Sequence, residues 1–61
     1  MRQWLHDARK KKQLSQSQVA KQVGISQPAY CDIENSNRNP HPDTAKKIAE
    51  VLDFPWTKFF D

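Results

Sequence analysis

The sequence predicts an all-α fold of five short helices, and three observations support this prediction. Serine is favoured at helix N-termini, and it stands where two helices would begin, at Ser15 and Ser26. The only glycine of the 61 residues, Gly24, lies between these two helices and can end the first of them. Apolar residues recur at helical spacing near the C-terminus, at Ala45, Ile48, Ala49 and Leu52.

The first two predicted helices are marked by charge and by capping residues. The first runs from Arg2 to Lys12, and its last turn carries a run of basic residues at the end where the helix dipole favours cations. The second begins at Ser15, and Gln18 three residues later completes a capping box. We expect Gly24 to end it as a C-cap glycine.

The third predicted helix follows the second after a single tight turn around Gly24. It begins at Ser26 and has Pro28 in its first turn, where a missing amide proton costs little. Tyr30 and Ile33 are expected to point to the core. Two short helices joined in this way form a helix-turn-helix, whose second helix can enter the major groove of DNA.

The C-terminal part is expected to hold a loop and two more helices. Residues 35–40 are a loop by composition, and the fourth helix runs from Pro42 to Leu52. Pro55 opens a short fifth helix with three aromatic residues. Such a small core does not hold all three, so we expect one of them at an interface between two copies of the chain. These aromatic residues are Trp56, Phe59 and Phe60.

Length and composition fit one small domain over residues 1–61 and exclude several classes of protein. The one cysteine, Cys31, cannot form an internal disulfide, and it shares no zinc-like spacing with His6 and His41, which are expected at the surface. No apolar run approaches a membrane span and no signal peptide is recognised, so we expect a cytoplasmic location. No nucleophile–base pair or phosphate-binding glycine loop is present, which argues against an enzyme, and no cofactor or small-molecule ligand is expected.

Positive charge is concentrated in the part of the chain that contains the helix-turn-helix. The net charge of the whole chain is +3, and residues 8–38 carry six basic and two acidic side chains, a net charge of +4. Residues 39–61 carry a net charge of −1. Such clustering favours a polyanionic partner, although a solvated helix end would also account for the run of lysines.

Several segments form a set that is specific when taken together. They are Ala8-Arg9, Leu14-Ser15-Gln16, Val19-Ala20, Val23-Gly24-Ile25-Ser26, Ile33-Glu34-Asn35, Arg38-Asn39-Pro40, Ala45 to Leu52, and Phe59-Phe60. This set, which spans nearly the whole chain, resembles the Cro and lambda-repressor family, also called XRE-type helix-turn-helix proteins. The resemblance implies a compact five-helix lambda-repressor-like domain that binds double-stranded DNA sequence-specifically, usually as a homodimer on a near-palindromic operator.

The chain departs from the pattern of this family at two positions. The family commonly has glycine after the Glu-Asn pair that ends the third helix, where this chain has Ser36. It also commonly has glycine after the fourth helix, where this chain has Asp53. Both positions tend to need a left-handed backbone. We expect Asn35 or Asn37 to supply it in the loop, and Asp53 to tolerate it after the fourth helix.

Residues on the outer face of the third helix are the candidates for reading DNA bases. Gln27 can make two hydrogen bonds to adenine, Asp32 can accept one from cytosine N4, and Pro28 offers apolar surface to a thymine methyl group. The alternative is that these are ordinary surface residues, and it applies most to Asp32, whose charge repels phosphate. The candidates are Gln27, Pro28, Cys31 and Asp32.

Residues that flank this face are candidates for contacts with DNA phosphates. Gln16 lies at the start of the second helix, beside unpaired backbone N–H groups that suit an anion, and the resemblance implies a DNA-backbone contact for it. Asn35, Asn37 and Arg38 follow the third helix and resemble the phosphate-contacting loop of the family. Turn formation alone would also account for the asparagines.

Two further residues have structural alternatives. The resemblance implies an ion pair between Arg9 and Glu34, which would fix the third helix against the first. Cys31 allows a redox interpretation, in which oxidation of the thiol ends DNA contact, but the neighbouring Asp32 disfavours the reactive thiolate. A small neutral side chain on the helix face is the simpler interpretation.

We therefore expect a transcriptional regulator, and specifically a repressor of phage, mobile-element or bacterial origin. It would act as a homodimer, weakly associated when free, through residues 55–61 and the loop that precedes them. One alternative is the DNA-binding antitoxin of a toxin–antitoxin pair, although the chain has no residues to spare for binding a toxin. Another is a protein-interaction module that has lost DNA binding, which would suit a third helix that carries Asp32 and no lysine or arginine.

Overall fold

Four α-helices and a short 3-10 helix are found in residues 1–60, which the computed structural model describes. The α-helices are α1 (Gln3–Lys11), α2 (Gln16–Val23), α3 (Gln27–Glu34) and α4 (Pro42–Leu52), and the 3-10 helix covers Trp56–Phe60. The all-α prediction is confirmed for these residues, and each α-helix lies close to its predicted position. None of the helices in residues 1–60 has the length and apolar character needed to cross a bilayer.

The fifth predicted helix is a 3-10 helix and not an α-helix. The amide of Lys58 donates to the carbonyl oxygen of Pro55 at 3.0 Å, which is the three-residue spacing of a 3-10 helix. The segment has only five residues. An α-helix of this length would gain little, because its first four amides and last four carbonyls have no internal partner.

The ends of α2 and the start of α3 are capped as the sequence predicts. Ser15 Oγ accepts a hydrogen bond from the amide of Gln18 at 3.1 Å, and Gln18 Oε1 accepts one from the amide of Ser15 at 2.8 Å. Ser26 Oγ accepts from the amide of Ala29 at 3.2 Å. Gly24 ends α2 with a φ of +88°, a left-handed conformation that glycine adopts without strain.

All four α-helices contribute to one apolar core, and Phe59 closes it from the 3-10 helix. Phe59 is 7% exposed, and its ring meets those of Trp4 and Phe54 edge to face, with centroids 5.1 and 5.5 Å apart. Phe60 is 52% exposed, so one aromatic of the last helix is left outside the core, as predicted. The other buried apolar residues are Leu5, Val19, Ala20, Val23, Tyr30, Ile33, Ala45, Ile48, Ala49 and Leu52.

A buried ion pair holds α1 against α3. Arg9 Nε donates to Glu34 Oε2 at 2.9 Å, and Arg9 Nη2 donates to Glu34 Oε1 at 3.0 Å. Arg9 is 6% exposed and Glu34 is completely buried. Arg9 Nη1 also donates to the carbonyl oxygen of Leu14 at 2.9 Å, which secures the turn after α1. The expected pairing of Arg9 with Glu34 is confirmed.

Two other side chains border the carboxylate of Glu34. His6 Nδ1 lies 2.9 Å from Glu34 Oε1, so His6 is partly buried in this cluster and not a plain surface residue as the sequence suggests. Tyr30 is buried, and its hydroxyl has no hydrogen-bond partner within the described residues. Burial raises the pKa of Glu34, but hydrogen bonds from Arg9 and His6 outweigh burial and lower this pKa to about 2.

Among residues 1–60, three residues other than glycine have a left-handed backbone: Gln13, Ser36 and Asp53, with φ of +59°, +66° and +62°. The expectation for Asp53 is confirmed, whereas the assignment of the loop position to Asn35 or Asn37 is wrong. The amide of Asn35 still donates to the carbonyl oxygen of Cys31 at 2.9 Å, so Asn35 continues the helical pattern and the reversal falls on Ser36. The left-handed Gln13 was not predicted.

Candidate nucleic-acid interface

The helix-turn-helix formed by α2 and α3 presents one face of α3 to solvent. The amides of Gly24 and Ile25 both donate to the carbonyl oxygen of Ala20, at 2.9 and 3.0 Å, which closes the end of α2. The chain then reverses, and α3 begins directly. Tyr30 and Ile33 are 0% and 3% exposed and anchor the inner face of α3 in the core. The opposite face is left accessible.

The four candidates for base contacts lie on this outer face and differ in exposure. Gln27 and Pro28 are exposed at the start of α3, whereas Cys31 and Asp32, one turn later, are partly buried. Residues four apart on a helix lie above one another, so the four side chains share one surface. An α-helix with such a surface fits the major groove of B-DNA. The contacts with individual bases stay a prediction.

A hydrogen bond joins Gln27 to Gln16, and the sequence analysis did not foresee it. Gln27 Nε2 donates to Gln16 Oε1 at 2.9 Å. Each glutamine is the first residue of its helix, and the turn between α2 and α3 brings these two helix starts together. The bond leaves one N–H and the oxygen of the Gln27 amide free, which is the donor and acceptor pair that matches adenine. Gln16, a candidate for contact with a phosphate, therefore orients Gln27, a candidate for contact with a base.

Basic side chains border the same surface. Lys10 and Arg9 line a shallow depression together with Gln16 and Gln27. The guanidinium of Arg9 is paired with the carboxylate of Glu34. Lys10 is exposed, as are the other lysines at the end of α1. Positive charge therefore lies beside the N-terminus of α2, where backbone N–H groups already favour an anion.

The loop after α3 carries the other candidates for phosphate contacts. The amides of Asn37 and Arg38 both donate to the carbonyl oxygen of Asp32, at 2.8 and 3.2 Å, which folds the loop back onto α3. Arg38 Nη2 lies 3.9 Å from Asp32 Oδ2, and the two side chains are 58% and 45% exposed, so this pair adds only about 0–1 kcal/mol of stability. Asn35 Nδ2 donates to the sulfur of Cys31 at 3.3 Å. Asn35, Asn37 and Arg38 are all exposed, and the side chain of Arg38 reaches solvent beside the outer face of α3.

Arg2 also contacts this loop and the end of α3, although the sequence analysis did not mark it as a site residue. Its guanidinium donates to the carbonyl oxygens of Ile33 and Arg38 and to the side chain of Asn39. One signal in the sequence could have pointed to it, because the last turn of α3 carries no basic residue to bind its terminal carbonyls. Arg2 supplies that positive charge from a distant part of the chain.

The surface offers hydrogen-bonding groups and charge for binding. No group of three or more His, Cys, Asp or Glu side chains within residues 1–60 is placed to hold a metal ion. Cys31 is a partly buried free thiol whose contact is the amide of Asn35. Its redox interpretation stays a hypothesis.

A helix-turn-helix family model, HTH_3, matches residues 5–59 of the chain. This range includes all of α2, α3 and α4 and most of α1 and the 3-10 helix. No solved structure matches the chain at a significant level.

Several curated proteins are similar to the chain. The uncharacterized HTH-type transcriptional regulator YqaF of Bacillus subtilis (strain 168) is 44% identical over 61 residues, which cover 100% of this chain and 80% of YqaF. YqaE of the same organism, also named an uncharacterized HTH-type transcriptional regulator, is 39% identical over 49 residues, which cover 80% of this chain and 42% of YqaE. The ImmF control region 10 kDa protein of Bacillus phage phi105 is 37% identical over 49 residues, which cover 80% of this chain and 54% of that protein.

Proposed function

This chain belongs to the HTH_3 family of helix-turn-helix proteins, and we propose that it is a repressor of phage, mobile-element or bacterial origin that binds double-stranded DNA sequence-specifically through α3. The family is one of transcriptional regulators and not of enzymes. The proposal treats residues 1–61 as one DNA-binding domain and places the protein in the cytoplasm, where its DNA would lie.

The observation that carries the proposal is the bonded pair of Gln16 and Gln27 at the starts of α2 and α3. The 2.9 Å bond fixes the amide of Gln27 at the exposed end of the helix that would enter the groove. Base contacts are assigned to Gln27, Pro28, Cys31 and Asp32. Phosphate contacts are assigned to the groups at the two margins of α3, namely Gln16, Asn35, Asn37 and Arg38.

The names of the relatives support a regulatory role. Two are named HTH-type transcriptional regulators, and a third is named for a control region of a bacteriophage. A repressor of phage or mobile-element origin is consistent with these names.

The proposal includes a homodimer on a near-palindromic operator. One short helix contacts too few base pairs to select a site in a genome, whereas two copies double the contacts. Two-fold symmetry then places the half-sites about one helical turn apart. We assign the interface to the C-terminal part, where Phe60 is 52% exposed and its ring meets that of Trp56 edge to face, with centroids 5.8 Å apart. The last residue of that predicted interface, Asp61, lies outside the described residues.

Selection of bound duplexes from a random library, followed by gel-shift titration, tests the proposal. The expected result is an enriched sequence with inverted symmetry that binds at least about a thousandfold more tightly than random duplex. Sedimentation of the complex should give two chains per site, and Trp56→Ala should weaken that assembly. Absence of binding to any duplex at low salt would contradict the proposal and favour a protein-interaction module, whose α3 carries Asp32 and no basic residue.

A further inference from the structure

Arg2, which precedes α1, contacts both the end of α3 and the loop that follows it. Its Nη1 donates to the carbonyl oxygens of Ile33 and Arg38, the second at 3.1 Å, and its Nη2 donates to Oδ1 of Asn39. The backbone amide of Arg2 donates to the carbonyl oxygen of Glu34 at 2.7 Å. One residue thus provides donors to four groups between positions 33 and 39.

The end of α3 needs such a partner. The last carbonyls of a helix have no internal donors, and they favour a positive charge. No basic residue stands in the last turn of α3. The guanidinium of Arg2 also packs over the ring of Phe59, with its central carbon 5.6 Å from the ring centroid. Because Phe59 is itself buried, this contact restricts where the guanidinium of Arg2 can lie.

These contacts hold Arg38 at both of its peptide groups. The amide of Arg38 donates to the carbonyl oxygen of Asp32 at 3.2 Å, and the carbonyl of Arg38 accepts from Arg2. The side chain of Arg38 is 58% exposed. A side chain that extends from a fixed backbone loses less conformational freedom on binding than one on a mobile loop.

We propose that Arg2 is a positioning residue for DNA binding, which fixes the backbone of Arg38 so that the Arg38 guanidinium meets a phosphate. The proposal rests on the DNA-binding function proposed above. It differs from two simpler roles of Arg2. A purely structural role would lower stability without changing the affinity of folded protein, and a direct phosphate contact would act independently of Arg38.

The test is a double-variant cycle of Arg2→Ala and Arg38→Ala, read as the affinity of the whole chain for the selected duplex. We expect Arg2→Ala to weaken binding about fivefold in the wild-type background and less than about twofold in the Arg38→Ala background. Lys47→Ala is the matched control, because it also removes one positive charge, from an exposed position on α4. We expect the control to weaken binding less than about twofold.

Two further variants separate geometry from charge and from folding. Arg2→Lys keeps the charge but loses the planar fork, so we expect it to bind like Arg2→Ala. Asn39→Ala removes one acceptor of Arg2 at an exposed position and leaves the charge unchanged. We expect Asn39→Ala to weaken binding about twofold in the wild-type background and to have no effect in the Arg2→Lys background. This second pair keeps the test decisive if Arg2→Ala does not fold.

Equal effects of Arg2→Ala in both backgrounds, or wild-type affinity of Arg2→Lys, would overturn the positioning role. Hydrogen exchange of the Arg38 amide supplies a readout that needs no DNA. We expect it to be about tenfold faster in Arg2→Ala than in Lys47→Ala, and equal rates would also overturn the inference. If the wild-type chain binds no duplex, the proposed function fails, and the exchange measurement still decides whether Arg2 fixes Arg38.

Discussion

Arg9 and Glu34 form a buried pair with two parallel hydrogen bonds, of 2.9 and 3.0 Å, between the first helix and the end of the third. Two-pronged contact between a guanidinium and a carboxylate is directional, so it fixes an orientation as well as a distance. The pair therefore fixes the orientation of α3 relative to α1. The pair lies in the interior, yet it fixes the helix on whose outer face Gln27 lies.

The first prediction concerns the removal of either partner of this pair. Arg9→Ala and Glu34→Ala should each lower the free energy of unfolding by about 3 kcal/mol or more, since each leaves an uncompensated buried group. The double variant should lose clearly less than the sum of the two single losses. Urea denaturation at low temperature measures all three, and strict additivity would show that the two side chains do not interact.

The second prediction concerns acid. The pKa of Glu34 is about 2 in the folded chain and near its ordinary value of 4.5 when unfolded. As the pH falls, Glu34 is therefore protonated in the unfolded chain before it is protonated in the folded chain. The stability that the ionised Glu34 contributes is present above about pH 4.5 and is lost as the pH falls towards 2. The loss should be on the order of 3 kcal/mol. Thermal denaturation between pH 6 and pH 2 measures it, with Glu34→Gln as the control. If Glu34→Gln lost as much stability between pH 6 and pH 2 as the wild type, other groups would be responsible for the loss.

The third prediction concerns the left-handed positions. Gly24→Ala should cost about 1–2 kcal/mol from the backbone alone, because a Cβ at Gly24 would meet no atom within 4 Å. Gly24→Asn should cost less, because asparagine tolerates this conformation better than alanine. Gln13→Gly should stabilise the fold by up to about 1 kcal/mol, since it relieves a φ of +59°. Equal melting temperatures of the Ala and Asn variants would contradict the backbone explanation.

The fourth prediction concerns base reading. Gln27→Ala should cost roughly 1–3 kcal/mol of affinity on the preferred site and should relax selection at one base pair. Gln16→Ala should have part of this effect, because it frees the amide of Gln27 from its 2.9 Å hydrogen bond. Selection of bound duplexes from a random library with each variant measures the change in base preference. An unchanged consensus for Gln27→Ala would remove Gln27 from the base-contacting set.

The fifth prediction concerns salt. Residues 8–38 carry a net charge of +4, so binding should release several counterions and log Kd should rise steeply with log salt. Arg38→Ala should weaken binding to selected and random duplexes alike and should reduce the slope by about 1 per chain. Titrations at several chloride concentrations measure the slope. A slope near zero would refute DNA binding by this surface.

The helices and their caps could be predicted because the signals are local. Ser15, Ser26 and Gly24 act on neighbouring residues, and each occupies the predicted place. The outward position of Gln27 followed from the inward positions of Tyr30 and Ile33 on the same short helix. Helical periodicity alone contains this information.

The Arg9–Glu34 pair was expected only from the family resemblance, and the other long-range contacts near the site could not be predicted, because they join residues far apart in sequence. No local pattern links Arg2 to Asn39, or His6 to Glu34, and both contacts depend on how α1 packs against α3. The left-handed turn was assigned to the wrong residue of the loop for a different, local reason. The amide of Asn35 donates to the carbonyl oxygen of Cys31, so Asn35 continues the helical hydrogen-bond pattern at the end of α3 and the left-handed residue is the next one, Ser36.

The separation of these contacts along the chain also bears on the order in which the molecule folds. α2 and α3 are neighbours in sequence, whereas Arg9 and Glu34 are 25 residues apart. Closing a longer loop costs more chain entropy, and local contacts form sooner than distant ones. We therefore expect α2 and α3 to assemble early and α1 to dock late. The unit proposed to read DNA would then take shape before the residues that fix its angle reach their partners.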